Sequence, residues 1–129
     1  MNVLFIEDDP MNRRVVGDML DVAGATMTGA ESAEIGLKLI DENDYAIVLI
    51  DLRMPGMDGI TAIRHIRART DEKSKLQVIV VTADTAVDLR ERCIAQGADD
   101  VLFKPVAMDS LFDAMGRMLA KAAGDGMIG

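Results

Sequence analysis

The sequence predicts an α/β domain in which five parallel strands form one sheet wrapped on both faces by five helices. Three observations lead there. Short apolar runs alternate five times with stretches of helical periodicity, the pattern of repeated βα units. The central runs, "AIVLI" (46–50) and "VIVVTA" (78–83), are continuously apolar, as strands covered on both faces are. A length of 129 residues suits one core and one domain.

The first strand is "NVLFI" (2–6), followed by Pro10 and a helix carrying Met11, Val15, Val16, Met19, Leu20 and Ala23. "ATMTGA" (25–30) is a weaker strand of edge character, and Ser32 then caps a helix with Ile35, Leu37, Leu39 and Ile40. "AIVLI" is closed by "DLRMPGMDG", after which Ile60, Ile63, Ile66 and Arg67 mark the third helix. "VIVVTA" leads into a predicted helix over 85–96 that Gly97 stops. "DVLF" is the fifth strand, and Met108, Leu111, Phe112, Met115 and Leu119 form the last amphipathic helix. The domain is expected over 1–122, with 123–129 as a flexible C-terminal tail.

Composition excludes several functions. A formal charge of −8 argues against nonspecific binding to nucleic acid, and no stretch approaches the roughly 20 apolar residues of a membrane span. No leader pattern opens the chain, and the lone Cys93 suits a reducing compartment, so a cytoplasmic location is expected. Cys93 and the ten methionines read as packing residues. The basic run "IRHIRART" (63–70) reads as the charged flanks of a helix, and His65 has no second His or Cys beside it to hold a metal.

In a sheet of this kind ligands bind at the carboxyl ends of the strands. Those ends carry Glu7, Asp8 and Asp9, then Asp51, then Thr82, then Lys104. Carboxylates crowded on one rim suit a hard divalent cation with oxygen ligands; Mg²⁺ fits best and Mn²⁺ is an alternative. Thr82 and Lys104 suit an anionic oxygen. A carboxylate nucleophile, a metal, a hydroxyl and a lysine together are the equipment for phosphoryl transfer to aspartate.

"VLFIEDDP", "VLIDLRMPGMDG", "VIVVTAD" and "GADDVLFKP" make the chain resemble, over residues 2 to 121, the receiver domain of bacterial two-component response regulators. The resemblance implies a flavodoxin-like, chemotaxis-regulator-like fold with strand order 2-1-3-4-5. It implies Asp51 as phosphoacceptor and a Mg²⁺ site of Glu7, Asp8, Asp51 and the backbone carbonyl of Arg53, in which Asp8 holds the ion directly and Glu7 acts mainly through water. It implies phosphoryl oxygens held by Thr82 and Lys104, and a cis Lys104–Pro105 bond that aims the lysine. Asp9 stands where the family is looser and is not counted as a primary ligand. The phosphodonor would be a histidine kinase or phosphotransfer protein. The output, through the face of helix 4, strand 5 and helix 5, would be an unidentified protein, neither nucleic acid nor membrane. Such a domain catalyses its own phosphorylation and dephosphorylation and is not an enzyme acting on a separate substrate.

Two features depart from the family or tune it. Val101 stands where the family usually has a Tyr or Phe that swings inward with the threonine, and β-branched valine has no ring to swing. Phe103 shares its sheet face and is a candidate to carry part of that coupling; the plainer reading has it packed under helix 4 or 5. Arg53 and Asp84, each two residues beyond a site residue, are a candidate charge pair across the pocket mouth.

A stand-alone receiver is the leading reading. The alternatives are a receiver fragment of a hybrid kinase or longer regulator, and a pseudo-receiver docking scaffold, which the complete acid, Asp, Thr and Lys set disfavours. An aspartate-nucleophile phosphatase would place an acid where Arg53 stands.

Overall fold

A computed structural model describes residues 1–128. The chain runs β1 (Asn2–Ile6), α1 (Pro10–Val22), β2 (Thr26–Ala30), α2 (Ala33–Glu42), β3 (Ile47–Ile50), α3 (Gly59–Arg67), β4 (Gln77–Thr82), α4 (Leu89–Ala95), β5 (Asp100–Phe103) and α5 (Met108–Ile128). All strand pairs are parallel, in the order β2-β1-β3-β4-β5. Strand order reverses between β1 and β3, which opens a crevice at their carboxyl ends.

Side-chain alternation sends each apolar strand into two cores. Leu4, Ile6, Val48, Ile50, Val78, Val80 and Val101 face α2, α3 and α4 and meet Ile40, Ile63, Ile66 and Cys93. Val3, Phe5, Ile47, Leu49, Ile79, Val81 and Leu102 face α1 and α5 and meet Leu20, Leu111 and Met115. This two-sided burial is why the central strands are apolar between their end residues. Truncating Ile63 or Ile66, both fully buried, to Ala costs about 2–5 kcal/mol by loss of packing.

Local chemistry sets the helix starts. Asp9 Oδ1 accepts the Met11 N–H ahead of Pro10, Ser32 Oγ accepts the Ile35 N–H, and Asp58 Oδ1 accepts the Thr61 N–H. Gly97, at φ +114°, closes α4 as expected.

The structure corrects α4, which begins at Leu89 and not at residue 85. The Asp84 side chain accepts the Ala86 N–H as a cap would, but the Leu89 N–H then pairs with the Ala86 carbonyl, a tight turn in place of the bond to the Thr85 carbonyl that a helix from 85 needs. A short 3₁₀ turn at Glu72–Lys75, not foreseen, leads into β4. Helix α5 continues to Ile128, through most of the segment set apart as a tail. None of the described helices is long and apolar enough to cross a membrane.

Side chains reinforce the outer edge of the sheet at β5. Buried Asp100 accepts the Val101 N–H and ion pairs with Arg90 of α4 and Arg117 of α5, each at 2.6 Å. Burial pushes its carboxyl up, but Arg117, the Val101 N–H and Arg90 outweigh that and hold it below the usual range. The arginines of the 63–70 run are occupied within the domain. Arg64 reaches Gln96, Arg67 caps carbonyls of Gly97, Ser74 and Leu76, and Arg69 pairs with Asp41 and Asp71.

Candidate functional site

Four strand ends build the site. β1 delivers Glu7, whose N–H still pairs with the Ala30 carbonyl, then Asp8 and the helix cap Asp9. β3 delivers Asp51, whose N–H bonds the Ile6 carbonyl and so fixes the first two acidic elements side by side. β4 ends on Thr82, and the Lys104 N–H bonds the Thr82 carbonyl at 2.8 Å, extending the β4–β5 ladder to the lysine. Behind Asp51 the chain folds tightly. A Cβ on Gly59 would sit 2.4 Å from the Asp51 carbonyl oxygen, so only glycine lets α3 start against this loop.

Glu7 is fully buried, Asp51 nearly so, and Asp8 is exposed. One carboxylate oxygen from each of these three lies within 4.8 Å of the others. Lys104 Nζ donates to Glu7 Oε1 at 2.5 Å and to Asp51 Oδ2 at 3.2 Å. Burial and the neighbouring Asp51 carboxylate raise Glu7 to about 7, against the opposing pull of Lys104 and Asn12. Burial lowers Lys104, but Glu7 and Asp51 more than compensate and hold it above its ordinary range.

This donor set fits a hard divalent cation. Three carboxylates converge, and Glu7 Oε2 is buried with no hydrogen-bond partner among the described residues. An orphaned buried oxygen is costly unless something charged or protic meets it.

Beside the acids, Asp51, Arg53, Thr82, Asp84, Thr85 and Lys104 line a polar groove. Thr82 Oγ1 accepts the Asp84 N–H at 3.1 Å, and Arg53 bridges to Asp84 at 2.9 Å across the groove. The Ala86 N–H and Arg53 hold the Asp84 carboxyl below its ordinary range. The Arg53 N–H lies 3.5 Å from Asp51 Oδ1. The Lys104–Pro105 bond is cis.

The structure thus gathers Glu7, Asp8, Asp51, Arg53, Thr82, Asp84 and Lys104 in one place. Val101 and Phe103 lie outside it. Val101 is buried in the core under α4, in register with Val80. Phe103 is 47% exposed and sits in register with Thr82, so it is not packed under a helix. Sequence reasoning missed Asn12 and Arg13. The Asn12 amide donates to Glu7 Oε1 at 2.8 Å, and Arg13 donates to the Glu7 backbone carbonyl at 2.5 Å. Their position in the first turn after an acid-rich strand end was the available signal.

Comparison with known proteins agrees with this geometry. The family model described as "Response regulator receiver domain" matches residues 3–116. The virulence sensor protein BvgS of Bordetella bronchiseptica is 32% identical over 127 residues, covering 95% of this chain and 10% of BvgS. The sensor histidine kinase RcsC of Escherichia coli is 36% identical over 109 residues, covering 84% of this chain and 11% of RcsC. The chain therefore spans about a tenth of the length of each. The receiver domain of the sensor histidine kinase PA1611 from Pseudomonas aeruginosa has a solved structure with magnesium coordinated in the active site cleft. It is 29% identical, covers 92% of this chain and 97% of that one, and superposes with a TM-score of 0.84. The chain belongs to the response regulator receiver domain family of two-component signalling.

Proposed function

We propose that Asp51 is a phosphoacceptor and that its phosphorylation switches this domain between two signalling states. The observation that carries the reading is Asp51 in contact with Lys104 and grouped with Glu7 and Asp8. Glu7, Asp8, Asp51 and the Arg53 carbonyl would hold Mg²⁺, which when bound neutralises charge on the phosphoryl oxygens.

The nearly buried Asp51 turns an oxygen toward the groove, where a phosphohistidine of a histidine kinase or phosphotransfer protein can present its phosphorus. The carboxylate O–P bond forms as the P–N bond breaks, and the departing imidazole nitrogen keeps the electron pair and takes a proton. Lys104 leaves Glu7 to pair with a phosphoryl oxygen, and the Thr82 hydroxyl donates to another. The added charge, roughly −1.5 to −2, draws both inward. Because Thr82 is in register with Phe103 and Lys104 follows it directly, β5 and its neighbours α4 and α5 form the responding face for an output protein. Water later hydrolyses the acyl phosphate.

Incubation with acetyl phosphate and Mg²⁺ tests the assignment. A phosphate-affinity gel shift is expected for wild type and absent in Asp51→Asn; an equal shift in the variant removes Asp51 as acceptor. A stand-alone module is the proposed context, while the far longer relatives support a receiver within a larger protein; the size of the native gene product on a denaturing gel separates the two.

A further inference from the structure

Glu7 has two carboxylate oxygens with different surroundings. Oε1 accepts two donors, the Asn12 amide at 2.8 Å and Lys104 Nζ at 2.5 Å. Its lone pairs are thereby both used. Oε2 is buried and has no partner among the described residues. The oxygen left to meet a cation is therefore Oε2, and its orientation follows from what grips Oε1.

The two grips are not equivalent. Lys104 also touches Asp51, and under the proposed function it moves toward the phosphoryl group. Asn12 stays, because its backbone belongs to α1 and its amide is itself braced. The second amide hydrogen reaches Asp9 Oδ2 at 3.3 Å, while Asp9 Oδ1 holds the Met11 N–H as the helix cap. Both acceptors of this amide are carboxylates, which fixes its nitrogen, and not its oxygen, toward Glu7.

From this we infer that Asn12 is a positioning residue for the metal site, turning Glu7 so that Oε2 faces the cation and keeping it there after Lys104 departs. The inference rests on the Mg²⁺ site proposed above and adds a residue that acts without touching the metal. The bland alternative is that Asn12 merely satisfies a buried carboxylate and steadies the first turn of α1.

Mg²⁺ titration of the unphosphorylated protein by calorimetry distinguishes these. Asn12→Ala is expected to weaken Mg²⁺ binding by about tenfold, the usual effect of losing an outer-shell partner. Asn12→Gln, which keeps an amide donor, is expected to recover part of that loss. In a Glu7→Gln background, Asn12→Ala is expected to change Mg²⁺ affinity no further, since its effect passes through Glu7. Melting in EDTA runs alongside: a structural role would lower the melting temperature of Asn12→Ala and leave its Mg²⁺ affinity unaltered. Unchanged affinity in Asn12→Ala, or an equal loss with and without Glu7, overturns the positioning role while the metal site stands. Absence of Mg²⁺ binding by wild type overturns both.

Discussion

Lys104 Nζ rests 2.5 Å from Glu7 Oε1, joining residues 97 positions apart at the fully buried floor of the acidic site. The lysine is thus shared between two carboxylates in this state, with Asp51 as the longer partner at 3.2 Å. It offsets part of a charge excess that a divalent cation would complete.

Crowded acids without a metal oppose folding. Asp51→Asn is therefore expected to melt higher than wild type in EDTA, by roughly 4 °C for about 1 kcal/mol in a domain of this size. Saturating Mg²⁺ should narrow the gap by stabilising wild type, about 2.7 kcal/mol at a hundredfold excess over its dissociation constant. Equal melting temperatures in EDTA contradict a shared acidic site.

Glu7 supplies a pH dependence. Its folded-state value of about 7 stands above the ordinary 4.5, so the folded protein binds more protons between those values. Stability without metal should then fall as pH rises from about 4.5 to 7, by at most about 1.4 kcal/mol per pH unit from this group. Melting curves in EDTA across that range should flatten in Glu7→Gln. An unaltered slope in the variant shows that the dependence arises elsewhere.

Arg53 and Asp84 bridge the groove at 2.9 Å, but Arg53 is 80% exposed, so the pair is worth only about 0–1 kcal/mol. As a flickering barrier to water it should lengthen the lifetime of phospho-Asp51 modestly. Arg53→Ala is expected to speed dephosphorylation by no more than about fivefold. A half-life identical to wild type in a phosphate-release assay eliminates the gate.

Asp100 is 2% exposed and held by two arginines whose own side chains are half-exposed. Arg117→Ala should destabilise by about 1–3 kcal/mol, as it leaves a buried carboxylate half-paired, whereas Asp100→Asn/Arg117→Ala should lose less than the sum of the singles. Urea unfolding measures both. Strict additivity would show that the two residues do not interact.

Phe103 lies in register with Thr82 and is half-exposed, placing it to report a shift of the β4 end at the surface. Phe103→Leu should alter the amide shifts that beryllofluoride induces along β5 and α4, and Val101→Ala should alter them less. Activated spectra indifferent to Phe103 dispose of the coupling.

The fold was legible because its signals are local. Continuous apolar runs, Ser32 as a cap, and Gly97 as a stop lie within a few residues of the elements they set. The strand ends carried the candidate site for the same reason: once the strands are parallel, whatever follows each one meets on the same rim. The start of α4 differs because the Leu89 N–H turns back to the Ala86 carbonyl, a local turn that the spacing of apolar residues does not show.

What the sequence by itself determined is therefore the sheet, its two cores, and the gathering of Glu7, Asp8, Asp51, Thr82 and Lys104 at one crevice. Only the tertiary structure decided the pairings. Among 22 acidic and 14 basic residues the choice of partner depends on distances between segments remote in the chain. Thus Asn12 reaches back to Glu7, Arg90 and Arg117 close on Asp100 from two helices, and Phe103 stands beside Thr82 yet faces solvent. Hydrophobic burial is set by residue type and period, whereas a hydrogen bond or ion pair needs two atoms within about 3 Å, a condition that exists only once the layers have packed.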